Sequence, residues 1–166
     1  MESKVIFDIS KQHFQNWENP VFHSIIPLIV IIIFIIIEIK KKSLKKIIIC
    51  CLGLIFWIMF VTFWILASYS NHIFLQDSMK YNKYDMITGF IQNVKMEYGK
   101  SNTQLFAIKD IKFRISDNSS NGGYNKTIQE GGQLYQGECS RIYYVEKSNE
   151  KVIIKVEILD KNICKK

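Results

Sequence analysis

The chain has 166 residues, is 48% hydrophobic and carries a formal net charge of +7. One ordinary soluble domain would fit that length, yet the apolar residues crowd into positions 21–68, and much of the basicity is one run of five lysines between Lys40 and Lys46. Charge so localised is no basis for nucleic-acid binding, and no nucleic-acid partner is expected.

Residues 1–20 precede the apolar region. Ile6, Ile9, His13 and Trp17 recur at three- and four-residue spacing, broadened by Phe7 and Phe14. That pattern fits a short amphipathic helix lying on a membrane surface, with a frayed tail as the other reading.

The segment Val21–Ile39, "VFHSIIPLIVIIIFIIIEI", is long enough to cross a bilayer at about 1.5 Å per residue. A strand seldom exceeds about ten residues, and Pro27 is tolerated in a bilayer helix. A cleavable signal peptide would need a basic start and a small-residue cleavage site. Here the preceding tail is slightly acidic, and the apolar run ends in Glu38 and lysines. A second segment, Ile47–Ser68, has no charged residue at all. The two are expected to form a transmembrane hairpin around the loop 40–46.

That loop holds Lys40, Lys41, Lys42, Lys45 and Lys46, whereas the tail on the other flank holds only Lys4 and Lys11. Short loops rich in Lys and Arg stay in the cytoplasm. The bias predicts a multi-pass protein of a bacterial inner membrane with both termini extracytoplasmic. Trp17, Trp64 and Tyr69 stand at interfacial positions, while Trp57 lies deeper. The lysines also suit anionic lipid head groups, which makes the lipid bilayer itself a partner.

After a linker at 69–84 the pattern changes to strands. "MITGFIQNVKMEY" (86–98) is rich in β-branched and aromatic residues, and "TQLFAIKDIKFRI" (103–115) reads as two short strands around Lys109 and Asp110. "SRIYYVEK" and "KVIIKVEIL" flank a Ser-Asn-Glu turn at 148–150, a hairpin signal. Val152, Ile154, Val156 and Ile158 alternate with Lys151, Lys155 and Glu157. Five strands over residues 85–160, followed by a tail at 161–166, suggest a small closed or partly open barrel, which removes exposed edges. A sandwich-like sheet is the other arrangement.

The segment 116–138, "SDNSSNGGYNKTIQEGGQLYQGE", holds five of the eight glycines. Paired glycines mark turns, and the Lys-Ser/Thr ending of a phosphate loop is missing. Tyr124 and Asn125 follow Gly122 and Gly123. A loop tyrosine offers contact area and one hydroxyl, the chemistry of an interface anchor. Alternatively, Tyr124 folds back over an open barrel end.

The succession "GFIQNV", "FAIKDIKFRIS", "GGYN", "GGQLYQGE", "RIYYV" and "VIIKVEIL" resembles small OB-like β-barrel domains of poorly characterised bacterial membrane proteins. The resemblance covers about residues 86–160 and implies a barrel outside the spans. It carries over no catalytic residue. The expected fold class is therefore a membrane-anchored α+β chain, a two-helix transmembrane hairpin followed by a five-stranded OB-like β-barrel.

Four cysteines divide into Cys50 and Cys51, in the second apolar segment, and Cys139 and Cys164, beyond it. No C-x-x-C spacing suggests zinc. Cys139 and Cys164 pair if the compartment is oxidising; otherwise they are a buried thiol and an exposed tail thiol. His13, His23 and His72 fit interfacial packing better than a metal cluster, and no cofactor is expected. Tyr143, Tyr144 and Arg141 imitate a basic aromatic groove, though outside the cytoplasm the partner would be a protein. The expected function is a non-enzymatic, membrane-anchored interaction module that binds a protein or envelope component through Tyr124, Asn125 and Arg141. The alternative is a regulatory or accessory subunit of a membrane enzyme or transporter.

Overall fold

β-branched and aromatic residues set the strands, and turn residues separate them. The computed structural model describes residues 3–12, 18–41, 44–119 and 121–165. Six strands form: β1 (Lys4–Asp8), β2 (Asp85–Glu97), β3 (Thr103–Ile108), β4 (Ile111–Ser116), β5 (Cys139–Lys147) and β6 (Glu150–Ile158). All pairings are antiparallel, and the sheet order is β1-β6-β5-β2-β3-β4. The β5–β6 hairpin turns on Ser148 and Asn149, at φ 50° and 65°, as a two-residue hairpin turn requires. A register shift between Gln92 and Lys95, with Asn93 at φ 55°, bends β2. The bend lets rings from non-adjacent strands meet: Phe113 on β4 lies edge-on to Tyr144 on β5, centroids 5.3 Å apart.

Each face of the sheet has its own core. One gathers Ile91, Phe106, Ile108, Phe113, Ile142 and Val156. The other gathers Tyr143, Val145, Val152 and Ile154 with Ile9 and Leu75. Burying a side chain of this size contributes about 1.5–3 kcal/mol, so both faces matter to stability. The described residues form the helices α1 (Glu18–Lys40), α2 (Leu44–Lys80) and α3 (Lys161–Cys164). Leu75 belongs to the final part of α2 and is fully buried. Asp160 caps α3 by accepting from the Asn162 N–H at 2.9 Å.

The chain divides into two compact units, Met1–His13 with Asn71–Lys166, and Phe14–Ser70. The second is helical, and its apolar side chains are exposed: Phe56 and Phe63 are each 72% accessible.

Three expectations need correction. The two-helix transmembrane hairpin is not found: among the described residues one helix, Leu44–Lys80, is long and apolar enough to cross a membrane, by length and composition only. Among the described residues, the apolar stretch of α1 is the shorter Pro27–Ile37. The five-stranded closed barrel is instead an open six-stranded sheet with β1 and β4 at its ends. The extra strand comes from the tail expected to be helical, where Lys4, Val5, Phe7 and Asp8 pair with β6. The remainder of the helical pattern reduces to a 3-10 turn at Ile9–Lys11, capped by Asp8; His13 and Trp17 lie outside the described residues.

Cys139 and Cys164 form a disulfide, with Cα atoms 5.8 Å apart. The bond fastens α3 to the first residue of β5.

Candidate functional site

Tyr124, singled out as an anchor or a fold-back residue, is 7% exposed and packed in the first core. Its N–H donates to the Ile153 carbonyl at 2.8 Å, on β6 beyond the point where β1 pairing ends. Its ring meets Phe7 edge-on at 5.4 Å, and its hydroxyl accepts from the Gln133 N–H at 3.3 Å. Burial pushes the hydroxyl pKa up from its ordinary value. Gly123 permits the approach, since a Cβ there would lie 2.7 Å from the Ile153 oxygen. The loop is thus stitched onto the sheet and Tyr124 is placed inside it.

Gln104 does the same work from β3. Fully buried, it donates to the Leu134 carbonyl at 2.8 Å and accepts from the Ile128 N–H at 2.9 Å. Asp117 accepts from both the N–H and the hydroxyl of Thr127, each at 3.0 Å. These three anchors leave Asn125 half-buried at a cavity of about 420 Å³ that it shares with Asp117, Asn118, Lys126 and Glu130. Its charges are mixed, and it favours no ligand sign.

Arg141 belongs to a different group, on β5. Its Nε donates to Thr88 Oγ1 at 3.2 Å, and its guanidinium lies 3.5 Å from Glu157. Glu157 is 6% exposed and also meets Lys155 Nζ at 2.7 Å and the Tyr143 hydroxyl at 3.3 Å. The carboxylate hydrogen bond holds the Lys155 ammonium pKa above its ordinary value. With its one carboxylate held by two cations and a hydroxyl, the cluster ties β5 to β6. Tyr124, Asn125 and Arg141 therefore sit in three different settings and do not converge.

Of the loop lysines, Lys40, Lys41, Lys45 and Lys46 are exposed; Lys42 lies outside the described residues. Among the described residues, no group of three His, Cys, Asp or Glu side chains could hold a metal ion.

A concavity with a clear charge bias lies elsewhere. A groove of about 550 Å³ runs along β3 and β4 to the β5–β6 turn. Lys112, Arg114 and Lys151 contribute cations, Glu150 the single carboxylate, and the rest of its polar lining is hydroxyl and amide side chains. Lys151 is engaged with Glu146 at 3.3 Å. Lys112 and Arg114 are exposed and, among the described residues, have no acidic partner. The signal for them was present as alternation, Lys112 and Arg114 between Ile111, Phe113 and Ile115. What the sequence did not disclose is that β4 ends the sheet.

Compared with known families, curated proteins and solved structures, the chain matches none.

Proposed function

We propose that the protein is a membrane-anchored, non-enzymatic interaction module, whose sheet unit binds a protein at the extracytoplasmic face of a bacterial inner membrane. The observation that carries this reading is the continuity of α2. One uninterrupted helix contains the apolar stretch that meets the length and hydropathy of a span, and its last turns supply Leu75 to the core of the sheet. A span of this kind anchors whatever is folded onto its end.

Two features support the outer face. The Cys139–Cys164 disulfide persists in oxidising compartments and is rare in the cytosol. Lys45 and Lys46 lie in the first turn of α2, and a basic flank of this kind favours the cytoplasm.

The reading is tested in two steps. Alkaline phosphatase fused after Lys166 should be active in a bacterial host, and inactivity would place the sheet in the cytoplasm. Chemical cross-linking of the full chain in intact membranes should then capture a protein that is lost when the sheet is unfolded by Ile154→Asp. Equal capture by folded and unfolded protein would sink the binding role.

A further inference from the structure

β4 is one of two strands that end the sheet. The β3–β4 turn has two residues, Lys109 and Asp110, between the paired Ile108 and Ile111. In such a hairpin the pair flanking the turn exchanges both main-chain hydrogen bonds, and the bonding alternates from there. Lys112, opposite Ala107, and Arg114, opposite Leu105, therefore turn their N–H and C=O groups away from β3, towards the open edge. Among the described residues no further strand takes them up, because β4 has a single neighbour.

The same two residues stand on one face of the strand, being two apart. They line the groove that continues to Lys151. Free main-chain groups and a run of positive side chains thus coincide on one strand. A peptide added to β4 would satisfy the first, and acidic residues at alternate positions would satisfy the second.

We infer that β4 is a strand-addition site for an extended acidic segment of a protein partner, with carboxylates at every second residue facing Lys112 and Arg114. This rests on the interaction-module reading above and assigns the site. A second copy of this chain does not fit: two β4 strands side by side would set Lys112 and Arg114 against their own kind, and like charges directly opposite destabilise a strand pair. The groove volume lies within the range of sites that enclose a ligand of a few residues.

The test uses the full chain in detergent micelles and a fluorescein-labelled peptide of alternating Glu and Val, read by anisotropy. The Glu peptide should bind and the corresponding Lys peptide should not. Lys112→Glu with Arg114→Glu should weaken binding by about tenfold or more, the sum of two exposed charge pairs reversed. Both residues are exposed, so the melting temperature should hold. N-methylation provides the second arm, independent of any variant. Methylating alternate amides on one edge of the peptide should abolish binding, and methylating the other set should change it by no more than about twofold. Equal binding of both methylated peptides would mean charge attraction without strand pairing, and would overturn the inference. So would failure of the Glu peptide to bind. If the Lys112→Glu, Arg114→Glu chain still captures the cross-linked partner in membranes, β4 is not the site while the interaction role stands.

Discussion

The sheet unit and the helical unit are built from the same apolar residue types and use them in opposite ways. In the sheet, Ile91, Ile108, Ile142 and Ile154 are all fully buried. In the helices, Ile33, Ile37, Ile49 and Ile58 are 40–67% exposed. An isoleucine hidden among protein atoms is a core residue, and one left outward needs a non-aqueous surrounding. The difference teaches that hydropathy alone does not assign a solvent; the partner of each face does.

The strongest way to break that contrast is to place the same charge in both units. Ile154→Asp should unfold the sheet, since an unpaired buried charge costs several kcal/mol, read as loss of the thermal transition. Leu52→Asp, in the apolar part of α2, should leave the transition alone and instead lower membrane recovery, by about 2.5–3.5 kcal/mol of insertion free energy. Full membrane recovery of Leu52→Asp would show that α2 is not a span. The comparison sharpens with the disulfide. Its cysteines are 25 residues apart, so Cys139→Ser with Cys164→Ser should cost about 3 kcal/mol, read by urea unfolding. Reductant should reproduce that loss in the native chain and add nothing in the variant.

A smaller effect is expected at Gln104→Leu, which strands the Ile128 N–H and the Leu134 carbonyl. About 2 kcal/mol should be lost, with amide exchange accelerated in 117–138 before the strands. The smallest is at Lys155. Its folded pKa is raised by the Glu157 hydrogen bond, so its stabilisation is complete below the ordinary value of 10.5 and is lost as pH rises through the higher folded value. Lys155→Met should flatten the alkaline limb of the stability curve, and an unchanged limb would remove the pair from the account.

Four of the six strands in the sheet could be read almost to their bounds, because β-branched alternation and the Lys109-Asp110 and Ser148-Asn149 turns are local signals; β2 was also found, less its bulge. β1 was not. Its five residues pair with the far end of the chain, and Ile6 and Ile9 at three-residue spacing suit a helix equally well. Closure into a barrel failed for a related reason: whether β4 finds a second neighbour is a tertiary fact that periodicity does not contain. Tyr124 read equally as an interface anchor or as a residue folded back over the domain, and its burial depends on Ile153 and Phe7, both distant in sequence. Lys112 and Arg114 were visible as charges, yet nothing local distinguishes an edge strand from a central one.

The pairing of β1 with β6 also fixes an order of events. β1 leaves the ribosome before its partner β6, and Phe7 must wait until Val156 has been made. Closing so long a loop is entropically costly and kinetically slow. Until β1 docks, the β6 edge stands open, the condition under which neighbouring chains pair wrongly. Docking of β1 then covers that edge and completes the sheet on its β6 side.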